Sequence, residues 1–194
     1  GTAIHNSVED MCNLDISGRE DGEIGWLHSS CRETLQKRWE EERIIFSETP
    51  RHPRWKDESF PIALDGLIGA ISILFDKAML PVEELSSVSV KTWKQVQDIV
   101  VATEANLESQ CGRLMGRLDL LIKDLHDEDN DGLIVADLKT GKPPEDELNE
   151  KVSRQLLFYR DLMKENVTEG KDLRAEGWYS SNNTVYRAEG PPIL

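Results

Sequence analysis

Cysteine is scarce in this chain: three in 194 residues, Cys12, Cys31 and Cys111, with no Cys-x-x-Cys pair. The odd number and wide spacing argue against a disulfide framework or a structural zinc site, and point to a reducing, cytoplasmic setting. Long apolar runs are missing too. The longest, Gly66 to Phe75, is ten residues held between Asp65 and Asp76, well short of the roughly 20 that span a bilayer, so no membrane partner is expected. The start carries no signal-peptide pattern, and there is no internal repeat or low-complexity tract. Positive charge is outnumbered, with 23 Lys and Arg against 37 Asp and Glu, a net charge of -14. Such a surface repels polyanions at long range, which argues against a domain that lives by nonspecific duplex binding.

What is present fits one α/β domain over residues 1–194, with a helical part at 1–95 and an αβ core at 96–194, and room for a buried core. Ile4, Val8, Met11 and Cys12 recur at helical spacing. Glu33 to Phe46 is a charged helix with Leu35, Trp39 and Ile45 as candidate buried positions. Ser17 to Gly25 is a Gly- and acid-rich loop, and Ser47 to Pro61 is a second, built around Arg51-His52-Pro53-Arg54-Trp55-Lys56. Ile62 to Met79 is apolar nearly all round and is expected as a buried helix. Asp98 to Leu107, Gly116 to Lys123 and Gly132 to Lys139 are strand-like. The acidic stretch Asp127 to Gly132 suggests a hairpin turn between the last two. Pro143-Pro144 and Glu145-Asp146-Glu147 suit the start of a helix that runs on through Gln155 and Tyr159 to Met163. Two closing strands, Leu173 to Tyr179 and Thr184 to Ala188, flank a turn at Ser181-Asn182-Asn183. The expected fold is a mixed β-sheet flanked by helices, with an N-terminal helical part.

The chemistry lies between Gly116 and Tyr159. Asp137 and Lys139 stand two apart on a strand, so they project to one face; a hairpin would bring Asp119 beside them. Unpaired carboxylates are costly within apolar runs, so a shared cation or a salt bridge is required. Two carboxylates suit a hard cation such as Mg2+, which stabilises charge in phosphodiester cleavage, while a lysine orients or deprotonates the attacking water. Asp119, 17 intervening residues and then Asp137-Leu138-Lys139 resemble the PD-(D/E)XK nuclease signature. The RecB-type branch is the most similar. It shares a glycine three residues ahead of the first aspartate (Gly116), Thr140-Gly141 after the lysine, a Gln-x-x-x-Tyr helix motif (Gln155 and Tyr159), and an N-terminal Gly-Thr step followed by histidine (Gly1-Thr2-Ala3-Ile4-His5).

That resemblance implies a restriction-endonuclease-like core and a metal-dependent DNA nuclease, an exonuclease or single-strand and end-processing enzyme of repair or recombination. It implies that His5, Asp119, Asp137 and the Leu138 carbonyl bind Mg2+ or Mn2+. Lys139 would serve the water, and Gln155 and Tyr159 would line the site. Since Lys139 would not be a ligand, its loss should leave folding nearly intact. Loss of Asp119 would relieve carboxylate repulsion. Glu104 is a supporting residue, and Glu9 is expected as exposed helix decoration. Most of the five tryptophans should be core; Trp55, with Arg51 and Arg54 beside it, is a candidate for substrate contact. No cysteine follows Cys111, so no iron-sulfur cluster is expected. Relatives usually have an upstream segment, so the chain is expected to be part of a longer protein, such as the nuclease end of a helicase-nuclease, with DNA and a helicase or other domain as partners. The competing class is an inactive nuclease-like module that binds DNA or protein; the intact Asp119, Asp137 and Lys139 favour the enzyme. Asp127 to Gly132 imitates an EF-hand opening, but Leu138 replaces the twelfth-position Glu. The phosphate-loop likeness at Gly141-Lys142 fails at Ala136 and Pro143.

Overall fold

A computed structural model describes residues 1–20, 24–51, 54–80, 82–129, 131–167 and 169–194. The centre of the predicted loop at 17–25, His52 and Pro53 of the basic stretch, Pro81, and Asn130 of the acidic turn lie outside the described residues. Helices α1 (Thr2–Cys12), α2 (Trp26–Glu48), α3 (Phe60–Lys77) and α4 (Val90–Ile99) come first. Strands β1 (Val100–Glu108), β2 (Met115–Lys123) and β3 (Leu133–Lys139) follow, then α5 (Glu150–Lys164), β4 (Leu173–Tyr179) and β5 (Thr184–Ala188).

The five strands form one sheet in sequential order. All neighbours are antiparallel except β3 and β4, which α5 connects as a parallel pair. One sheet face carries Leu120, Ile122, Ile134, Ala136, Leu138 and Trp178, packed against the N-terminal helices. The other carries Leu121, Leu133 and Val135, packed against Leu162 and Met163 of α5. Side chains on β3 alternate between these layers, so Asp137 and Lys139 share the α5 side with Val135.

Local chemistry explains where the elements begin. Ser89 caps α4, its hydroxyl accepting from the Thr92 amide at 3.1 Å, and Val90, Trp93, Val96 and Ile99 give that helix its buried stripe. This helix was not expected, and it delays the first strand from Asp98 to Val100. α5 begins at Glu150 rather than at the acidic run after Pro143-Pro144, because Asn149 is its cap and accepts from the Lys151 amide at 2.9 Å. α2 starts at Trp26, well before Glu33, and its distal half extends past the core. Leu35, in its first half, is buried, but Ile45 is 56% exposed, against expectation.

Three of the five tryptophans, Trp26, Trp93 and Trp178, are buried. Each donates its indole N–H: to the Val88 carbonyl, the Met11 carbonyl and the Glu176 carboxylate respectively. α3 is the most apolar element. By length and composition alone the helical stretch Asp57–Lys77 would suffice to cross a membrane, which corrects the reading from consecutive apolar residues. Here α3 buries Leu64, Leu67, Ile71, Ile73, Leu74 and Phe75 in the core. Its Gly69 lies against the β4–β5 turn, where a β-carbon would stand 2.0 Å from the Ser180 carbonyl oxygen.

Candidate active site

The pairing of β2 with β3 runs from Lys123–Leu133 to Leu120–Ala136. One residue further on, the Asp119 side chain takes the place of a ladder bond: its Oδ2 accepts the Leu138 backbone N–H at 2.7 Å. Beyond Ala136, β3 continues its pairing with β4 as far as Lys139–Tyr179. The fork between β2 and β3 is where the candidate site side chains His5, Asp119, Asp137 and Lys139 gather.

His5 reaches this fork from α1, which is held to α2 by Arg38 clasping both Asp10 carboxylate oxygens at 2.7 Å. The His5 Nδ1 lies 3.0 Å from the Gly1 carbonyl oxygen. Its Nε2 lies 2.8 Å from the Leu138 carbonyl oxygen and 3.4 Å from Asp119 Oδ2. These partners are all acceptors, so both ring nitrogens carry protons. The Asp119 carboxylate is the main cause that lifts the His5 pKa to about 9, against the opposing effect of burial.

Asp137 is buried, and Lys139 Nζ meets its Oδ2 at 2.6 Å. Burial pushes the Asp137 carboxyl above the usual range; the Lys139 ammonium opposes this and the Asp119 charge adds to it. Lys139 also donates to Gln155 Oε1 at 3.1 Å, and Gln155 Nε2 donates to the Tyr159 hydroxyl at 3.2 Å. Gln155 and Tyr159, one helical turn apart on α5, therefore hold the lysine. Gly116 completes the packing: a β-carbon there would stand 2.9 Å from the Tyr159 ring, so only glycine lets α5 approach β2 this closely.

Glu104 on β1 takes a left-handed backbone (φ 49°) and pairs with Arg117 at 2.6 Å. Burial raises its pKa first, and the Asp119 charge next. Glu9 is half-buried and its charge acts on Glu104, so it belongs to the margin of the site rather than to an exposed helix face. Arg51 and Arg54 are exposed on the connection between α2 and α3. Trp55 is half-buried; it donates to Asp57 at 2.9 Å and packs edge-on against Trp39. Trp39 was expected in the core, yet it is only half-buried and lines the groove beside the fork. Its helical position carried no sign of this, because the core ends part-way along α2.

The family model of the PD-(D/E)XK nuclease superfamily matches residues 1–190. The chain belongs to this superfamily. Its mixed sheet flanked by helices is consistent with the restriction-endonuclease-like fold, and membership supports a nuclease-type function with DNA as substrate. Nucleases of the superfamily usually use a divalent metal such as Mg2+. No curated protein matches the chain.

As they stand, no three His, Cys, Asp or Glu side chains are gathered to hold an ion among the described residues. The donor set nevertheless suits one. His5, Asp119 and the Leu138 carbonyl already converge around a single proton, and the buried Asp137 Oδ2 makes no hydrogen bond of good geometry besides its close ion pair. Imidazole, carboxylate and carbonyl donors in this number fit Mg2+ or Mn2+.

Proposed function

We propose that this chain is a Mg2+- or Mn2+-dependent deoxyribonuclease of the RecB-type branch, acting on DNA ends or single strands in repair or recombination, with a helicase or other domain as a natural partner. The observation that carries the reading is the arrangement at the β2–β3 fork. A carboxylate, an imidazole and a carbonyl converge there, beside a second, buried carboxylate paired with a lysine.

His5, Asp119, Asp137 and the Leu138 carbonyl would hold the ion. The bound ion would polarise the scissile phosphate and stabilise its developing charge. Lys139 is the proton-handling and charge-stabilising group: its Nζ is fixed by Asp137 and Gln155, and Tyr159 fixes Gln155 in turn. Asp119 has a second duty, since its bond to the Leu138 N–H sets the direction of the Leu138 carbonyl. Arg51, Arg54 and Trp55 are proposed substrate contacts flanking this centre.

The test is incubation with end-labelled single- and double-stranded DNA in Mg2+, Mn2+ or EDTA. Cleavage that requires the metal and is lost in Asp137→Asn supports the enzyme. Pure protein that binds DNA but leaves it whole under every condition supports the inactive module instead.

A further inference from the structure

Resting on that nuclease reading, we propose that Trp39 is a stacking platform for one unpaired base of the DNA strand, beside the cleavage centre. A groove of about 410 Å³ is lined by Gly1, Thr140 and Trp39, with Asp65 and Ser181 among its walls. It adjoins the fork through neighbouring residues: the Gly1 carbonyl is the partner of His5 Nδ1, and Thr140 follows Lys139 in sequence. Trp39 also walls a second concavity of about 300 Å³, lined by Arg32 and Arg43 together with Glu40, which pairs with Arg43, and Asp57. Trp39 thus lines both concavities.

The indole is held in advance of any ligand. Its ring meets Trp55 at 4.8 Å and Phe60 at 5.4 Å, both edge-on, and its N–H points to Asp57 at 3.4 Å. Little rotamer entropy remains to be lost when a base arrives. Trp26, Trp93 and Trp178 bury their rings completely, whereas Trp39 remains partly open.

Charge selects the occupant. With a net charge of -14, the chain is poorly suited to gripping a strand through phosphates alone, and a ring face supplies attraction that salt does not screen. Bases inside a duplex hide their faces against their neighbours; unpaired ones expose them. Arg32, whose guanidinium lies 5.9 Å from the Phe60 ring, offers a cation for the phosphate beyond the stacked base. The occupant is therefore single-stranded DNA.

The test uses the unaltered chain and fluorescein-labelled single-stranded oligodeoxynucleotides in which one abasic residue is walked along the strand. Binding is followed by anisotropy in Ca2+, and cleavage is followed separately in Mg2+ and Mn2+. Wild-type affinity should fall about tenfold when the abasic residue occupies one particular position, in line with the usual strength of base–aromatic stacking. Trp39→Ala should bind the intact strand about tenfold more weakly and be indifferent to that lesion, and Trp39→Phe should recover most of the loss. Equal tolerance of the lesion at every position by wild-type protein overturns the proposal, as does absence of single-strand binding or an unchanged lesion profile in folded Trp39→Ala. The lesion walk needs no variant, so poor folding of Trp39→Ala leaves it decisive. Metal-dependent cleavage with a flat lesion profile overturns only the platform. A lesion-sensitive profile without cleavage overturns only the nuclease reading.

Discussion

Lys139 neutralises a buried carboxylate as well as facing the proposed reaction centre. Its Nζ lies 2.6 Å from Asp137 Oδ2, so Lys139→Ala leaves that charge without its cation. Cleavage should fall by about 10²-fold or more, as for loss of a positioned proton-transfer or charge-stabilising group. The melting temperature in EDTA should also fall, because an unpaired buried charge is destabilising, and Mg2+ should restore much of it. This departs from the sequence-based expectation of intact folding; an unchanged melt in EDTA would show that the ion pair adds nothing. Asp119 departs further. Relief of carboxylate repulsion suggested that Asp119→Ala would be stabilising, but its Oδ2 satisfies the Leu138 N–H and partners His5. Removal should therefore cost about 1–3 kcal/mol in denaturant titrations. Asp119→Asn, whose amide oxygen still accepts from Leu138, should keep most of the stability and lose the activity.

Among the elements, the contact between α3 and the β4–β5 turn is the least forgiving. A β-carbon at Gly69 would meet the Ser180 carbonyl oxygen at 2.0 Å and Asn183 Oδ1 at 2.5 Å. The first is backbone and cannot swing aside, so Gly69→Ala should destabilise by about 1–3 kcal/mol despite alanine's better helix propensity. A thermal melt at or above wild type would show that the turn yields. Sequence periodicity captured the succession of strands and helices along the chain, the hairpin and the helix carrying Gln155 and Tyr159, since each depends on local alternation or turn chemistry. It placed Asp137 and Lys139 on one face for the same reason. The fork between β2 and β3 was not legible, because it depends on a side chain replacing a ladder bond between residues far apart in the chain. Nor was the exposure of Ile45 and Trp39, since helical spacing marks a stripe but not where the supporting core ends. The missed α4 did have a local signal, the Ser89 cap ahead of Val90, Trp93, Val96 and Ile99.

For the whole molecule, the Asp119 carboxylate beside His5 makes proton binding at the site a measurable part of folding. His5 is raised from 6.5 to about 9 in the ion-free protein. Below pH 6.5 the histidine is protonated in folded and unfolded chains alike, and its contribution to stability is complete. As pH rises towards 9 the unfolded histidine has already lost its proton while the folded one must still give it up, so the contribution shrinks and then vanishes. Melting temperatures in EDTA should therefore decline between pH 6.5 and 9, and His5→Asn should flatten that decline. A divalent ion held as proposed would reverse the sign: His5 would serve as its ligand through Nε2, so the proton shared with Asp119 and the Leu138 carbonyl would have to leave. Metal affinity should then climb about tenfold per pH unit over the lower part of this window and level off as pH passes 9. Titration calorimetry in buffers of differing ionisation enthalpy should detect about one proton released per ion near pH 7.5. An affinity that ignores pH, with no proton released, would remove His5 from the ligand set and leave its imidazolium as a structural clasp between α1 and the β2–β3 fork.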